Sequence, residues 1–243
     1  FDNVKVRQAM AYAMDRDFII QKLHHGLTRP CTGPLYHSSP FYTDDVNMYD
    51  VDLEKANKLL DEAGYPRQAD GVRFSATLDW IPGTPDDQQI VAEYLKPQFQ
   101  KVGIKIELRS PPDFGTWLKR ISTWDYDLTM NLPFCYPDPI IGVHRLYLSS
   151  NIKHIPWSNT QGYRNSRVDE ILDQAAVEMN FDKRKALYVE FQKIVTDELP
   201  LIFIHELASF TFLNKELMGW PTGIWGLMGP GDGLYWKQGR APK

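Results

Sequence analysis

The first apolar stripe of the chain is helical: Val6, Ala9, Met10, Ala13 and Met14 recur three or four residues apart and fall on one face. Asp15 is placed to cap a second helix, which Phe18, Ile19 and Leu23 carry to Gly26, a residue suited to the left-handed turn that ends helices. Periodicity then stops from Thr28 to Asp50, where Pro30, Gly33, Pro34 and Pro40 punctuate a connection long enough to be functional. Asp52 opens a third helix with Leu53, Ala56, Leu60 and Ala63 inside, closed by Gly64-Tyr65-Pro66.

The period next changes to two. Val72, Phe74, Ala76, Leu78 and Trp80 alternate as a strand, and Ile90, Val91, Tyr94, Leu95 and Phe99 form a helix ended by Gly103. Ile104, Ile106 and Leu108 then alternate again, which predicts a β-α-β unit with parallel strands. Pro97 inside that helix is expected to kink it or to forgo the bond to the Glu93 carbonyl. Phe114, Trp117, Leu118 and Ile121 predict another helix, followed by a strand over Asp127–Leu132. Two longer helices follow, one from Val168 through Ile171, Leu172, Ala175 and Met179, the other from Lys183 through Leu187, Phe191, Ile194 and Val195, with Asp182 as cap. Leu201–Ile204 reads as a strand covered on both faces. From Glu206 the core-forming pattern fades into glycine, proline and isolated aromatics, giving a main lobe over 1–205 and a terminal segment over 206–243.

Composition narrows the classes. The 243 residues are 43% hydrophobic and 24% charged with a net charge of −4, enough for a real core without metals or disulfides. No basic face suits nucleic acid, and no apolar run approaches the ~20 residues that span a bilayer. Phe1-Asp2-Asn3 leads straight into the first helix with neither initiator Met nor signal-like segment, so the chain is expected to be an excised piece of a longer protein.

Chemistry is sparse and centres on one loop. Asn131–Ser150, NLPFCYPDPIIGVHRLYLSS, joins a predicted strand to a helix-compatible run from Val143 to Leu148 through a rigid aromatic and proline-rich connection, a usual place for ligand-facing groups in α/β domains. Asn131 offers an amide, Phe134 and Tyr136 offer flat faces, and Pro137 and Pro139 fix the backbone around Asp138. Trp80 is expected to point into the same cleft. Cys31 and Cys135 lack CxxC partners and read as small, partly buried hydrophobes. His205-Glu206 fails as an HExxH metal site because position 209 is serine, and Gly229–Gly233 reads as a turn with no following helix to bind phosphate. Asp44-Asp45 and Asp86-Asp87 read as loop and helix-entry residues, and His24-His25 as a helix C-terminus. No cofactor is implied. One catalytic reading stays open: a thiol-dependent hydrolase or transferase centred on Cys135 and His144, with Asp138.

Several segments, in order, resemble family 5 extracellular solute-binding proteins of ABC importers, the dipeptide, oligopeptide and nickel binders: VRQAMAYAMDRDFI, DLEKANKLLDEAGYP, AEYLKPQFQKVGIKIEL, TWLKRISTWDYDL, PDPIIGVHRLYLS, GYRNSRVDEILDQAA and KRKALYVEFQKIVTDELPLI. The resemblance implies a periplasmic-binding-protein-like α/β lobe with a mixed, mainly parallel sheet flanked by helices, the third domain of a type II, cluster C-like protein. It also implies a periplasmic protein that is not an enzyme, its N-terminal lobe missing here, closing on a small solute and delivering it to a membrane permease. Peptide binders of this kind place a carboxylate where this chain has Cys135, and dipeptide binders an arginine where it has Ile81-Pro-Gly-Thr84. With both ionic anchors missing, a zwitterionic dipeptide would leave buried charge unpaired. The expected solute is therefore a longer peptide, an opine or an oligosaccharide, contacted by Trp80, Asn131, Phe134, Cys135, Tyr136 and Asp138. The terminal segment would return to the missing lobe and expose Phe210, Phe212, Trp220, Trp225 and Trp236.

Overall fold

The computed structural model describes residues 1–84, 88–207, 212–221 and 229–237. The chain separates into two compact units, Phe1–Leu207 and Ala208–Lys243.

In the first unit, α1 (Val4–Ala13) buries the five stripe residues, each 3% exposed or less, with Asn3 Oδ1 capping its start. Burial on this scale contributes about 1.5–3 kcal/mol for each large side chain. Asp15 caps α2 (Arg16–Phe18) by accepting from the Phe18 amide, and the helix then widens into a π-turn over Ile19–Leu23. Phe18 lies half out of the core and stacks on Tyr94 at 4.5 Å. α3 (Leu53–Glu62), capped by Asp52, packs on α1.

A three-stranded parallel sheet in the order β3-β2-β4 organises the centre: β2 (Phe74–Asp79) lies between β3 (Ile104–Leu108) and β4 (Leu128–Thr129). The crossover helix α4 (Gln88–Lys101) runs through Pro97. The fourth strand is two residues long rather than the six expected. It pairs only with Leu78 and Asp79, the last residues of β2, and Pro133 cannot donate to a ladder. α5 (Phe114–Thr123) buries Trp117 and Ile121 and ends at Trp124 in the left-handed region, φ 57°.

A second apolar cluster forms around α7 (Ser166–Val177) and α8 (Phe181–Glu198), joined by the short α6 (His144–Tyr147). Three expectations need correction here. The cap of α8 is Asn180, which accepts from the Lys183 amide, while Asp182 sits in the first turn. Met179, expected in the α7 stripe, is 95% exposed because the helix stops at Val177. Leu201–Ile204 is not a strand: the segment is half-buried, and pairing begins only at β5 (His205–Glu206), antiparallel to β1 (Arg29–Pro30).

Half-buried arginines tie the ends of this unit together. Arg7 donates to the carbonyls of Glu198 and Leu199 and, through Nη1, to those of Phe1 and Asp2. Arg16 donates to Phe203 and Tyr49 carbonyls at 2.8 and 3.1 Å.

The second unit contains the antiparallel pair β6 (Leu217–Met218) and β7 (Tyr235–Trp236), with a tight turn over Gly231–Gly233. Phe212 is 98% exposed, whereas Trp220 and Trp236 are half-buried. Phe210, Trp225, Ser209 and the Asp86-Asp87 pair lie outside the described residues.

Candidate functional site

The C-terminal ends of β2, β3 and β4 face one edge of the sheet, where the connections are free to present side chains. Two of those connections are tied to each other by charge. Asp79 closes β2 with its side chain buried, and its Oδ1 accepts from Arg109, just after β3, and from Arg120 of α5, each at 3.2 Å. Arg109 also grips Asp125 beyond α5. The Oδ2 atom of Asp79 makes no hydrogen bond, and burial pushes this carboxyl up against the opposing pull of the two guanidiniums. Periodicity did not reveal this network. Its signal was an aspartate at the end of an otherwise apolar strand, which demands a partner.

The third connection, beyond β4, carries the aromatic loop. Met130 extends the ladder by donating to the Asp79 carbonyl at 2.8 Å, and Trp117 Nε1 holds Thr129 Oγ1 at 3.0 Å. Asn131 is half-buried, and its Oδ1 accepts from the Leu132 amide at 2.7 Å, so one face of the side chain is already used. Phe134 stands 53% exposed. Cys135 packs against the α7–α8 core and donates its thiol to the Pro34 carbonyl at 3.2 Å. The Tyr136 amide reaches the Ile141 carbonyl at 3.4 Å, and Asp138 Oδ1 accepts from the Ile140 amide at 3.0 Å. At the neck, Gly142 has φ +100°, and a Cβ there would lie 2.1 Å from the Phe134 carbonyl oxygen, so only glycine fits.

Trp80 does not join them. It is 4% exposed and belongs to the sheet core, which corrects the expectation that it points into the cleft. Asp138 is close to the aromatic pair in sequence, but its carboxylate is engaged by Arg184 Nη2 at 2.8 and 3.1 Å.

Cys135, His144 and Asp138 of the catalytic reading each engage other partners. Burial pushes the Cys135 thiol up to about 11, and its recorded side-chain hydrogen bond goes to a backbone carbonyl. His144 Nε2 pairs instead with Tyr188 Oη at 2.9 Å, and burial pulls its pKa down to about 4. A nucleophile needs a lowered thiol pKa or an adjacent base; the Cys135 thiol is raised instead, and Nε2 of His144 is engaged by Tyr188. Cys31, also a free thiol, is likewise raised, to about 12, by burial. Among the described residues no group of three His, Cys, Asp or Glu side chains is placed to hold a metal. Glu206 of the failed zinc motif is taken by the amide and Nδ1 of His37 at 2.9 and 2.5 Å, while the rings of His24 and His205 meet tilted at 37° with centroids 4.4 Å apart.

Residues 1–154 match the family model described as bacterial extracellular solute-binding proteins, family 5 middle. The chain belongs to this family. Among curated relatives, this family 5 chain is 30% identical over 239 residues to heme-binding protein A of Haemophilus influenzae, covering 93% of the chain and 40% of the relative. It is 29% identical to the glutathione-binding protein GsiB of Pectobacterium atrosepticum, covering 90% and 42%. Two solved structures share the fold: HbpA2 from Haemophilus parasuis, with a TM-score of 0.80, 24% identity and coverage of 97% and 45%, and the oligopeptide-binding protein AppA from Bacillus subtilis in complex with a nonapeptide, with 0.74, 24%, and 84% and 42%. The family 5 chain thus spans about two fifths of the length of the curated relatives it matches. The α/β architecture with a parallel sheet agrees with that family and with the fold expected from the sequence.

Proposed function

We propose that this chain is a ligand-binding lobe of an extracytoplasmic receptor that captures a small solute and hands it to an ABC permease in the membrane. Family membership supports the receptor class, and the relatives carry names of binding proteins, for heme, glutathione and dipeptides. The observation that carries the reading is the loop over 131–143, an aromatic-bearing segment beyond the end of a parallel strand that is fixed before any solute arrives. A preformed site of this kind loses little ordering entropy on binding. The receptor would work by closing on its solute, because a ligand that binds the closed form better shifts the population towards it.

The contact surface on this lobe is Phe134, Tyr136 and the free face of Asn131, with Cys135 as its floor. Neither an ionised carboxylate nor a guanidinium stands at the positions of the peptide-binding anchors, so the solute is one held by backbone contacts and flat apolar faces: an oligopeptide first, with opines and oligosaccharides as alternatives. The test is a thermal-shift screen of the gene product carrying this chain against di- to nonapeptides, glutathione, hemin, opines and oligosaccharides. A solute present at about 100 times its Kd stabilises the native form by about 2.7 kcal/mol, a rise of several degrees. A panel without any shift overturns the reading.

A further inference from the structure

Asp138 belongs to the aromatic loop, yet its half-exposed carboxylate is engaged by a residue on a distant helix. Arg184 of α8 is itself held from several sides. Its Nε donates to the Ala175 carbonyl near the end of α7 at 2.8 Å, its guanidinium carbon lies 5.2 Å from the centre of the Phe41 ring and 5.6 Å from that of Tyr188, and its side chain is 17% exposed. Both rings belong to the packed second core, and Tyr188 is pinned in turn by His144. The guanidinium therefore cannot follow the carboxylate; the carboxylate must come to it. A planar, delocalised cation fixed in this way fits this task better than a flexible ammonium would.

The Cys135 hydrogen bond and the Gly142 approach do not supply this reference. Cys135 is tied to Pro34, which lies in another irregular connection, and the Gly142 approach joins the loop to itself. Of these tethers, only the Asp138–Arg184 pair refers the loop to a long helix. We infer that Arg184 is a positioning residue: without touching solute, it sets through Asp138 the pose in which the loop presents Phe134 and Tyr136. This assigns Asp138 to holding the loop rather than to contacting ligand, and it rests on the receptor reading only for the identity of what the loop presents.

The thiol of Cys135, locked on the Pro34 carbonyl, reports on the pose directly. In a Cys31→Ser background, where Cys135 is the only thiol, labelling by Ellman's reagent well below the melting temperature measures how often the loop opens. Arg184→Gln and Asp138→Asn should each raise the labelling rate about tenfold, and the double variant should label no faster than the faster single, because both remove one interaction. Pairing Arg184→Lys with Asp138→Glu, which restores opposite charges with the lost reach made up by a methylene, should bring the rate back towards the parent. Rates equal to the parent overturn the proposal. So do rates that rise only in proportion to the globally unfolded fraction read from urea melts, since Arg184 would then be an ordinary stabilising residue. None of these readouts needs a solute, so an empty thermal-shift panel would sink the receptor reading and leave the clamp standing, whereas parental labelling would do the reverse.

Discussion

Two aspartate–arginine pairs frame the sheet edge and the loop beyond it, and they are built in opposite ways. Asp79 is fully buried, faces two guanidiniums and leaves one oxygen unsatisfied. Asp138 is 43% exposed, meets one guanidinium and adds a backbone amide. Burial raises the Asp79 carboxyl, whereas at Asp138 the desolvation cost is outweighed by the Arg184 and Ile140 hydrogen bonds and the carboxyl falls below its usual range. A buried pair of the first kind sets geometry without being strong evidence of stability. The second ties a loop from a half-exposed position, and its strength is limited by solvent screening.

The comparison breaks most sharply at Asp79. Asp79→Leu leaves two guanidiniums competing for water at the strand ends and should cost about 3 kcal/mol, read as a lower urea midpoint with unchanged slope. A loss below about 0.5 kcal/mol would show that the network merely fills space. Next in size is Gly142→Ala, whose Cβ cannot coexist with the Phe134 carbonyl; a cost of about 2 kcal/mol is expected, together with loss of solute-induced thermal shift. Asp138→Asn should cost about 1 kcal/mol after screening, while changing loop labelling far more than global stability. Its effect should also depend on pH. A carboxyl whose folded pKa is depressed contributes stability above its unfolded value near 3.9 that disappears as pH falls through the folded value, so the variant should lose less stability than the parent between pH 5 and pH 2. Asp79, raised on folding, acts with the opposite sign: it favours the folded state increasingly as pH falls through its folded pKa. The smallest change is Cys135→Ser, expected to cost under about 1 kcal/mol and to reduce any solute-induced thermal shift only slightly, whereas the turnover of a thiol enzyme would be abolished.

What could be read from the sequence follows from one-sided burial. The α3 and α7 stripes and the alternating β3 each bury a single face, so the period carries the assignment, whereas α1 also buries Ala11 and Tyr12 off its stripe and β2 buries Asp79 on its other face. The burial of Trp80 follows from the same alternation, since it continues the phase of Ala76 and Leu78, both of which pack inward. Leu201–Ile204 shows the limit of apolar runs, since four half-buried residues packed on a core need no ladder. Within the candidate site, the loop was legible from its prolines and aromatics. Arg184 was not, because it is 46 residues from Asp138 and nothing local marks an arginine whose partner lies on another element.

Arg7 has a practical consequence. One guanidinium reaches the carbonyls of residues 1 and 2 and those of residues 198 and 199, so the start of the chain and the end of its longest helix lie side by side. Losing that one side chain would therefore release two segments at once, the lead-in to α1 and the turn that follows α8.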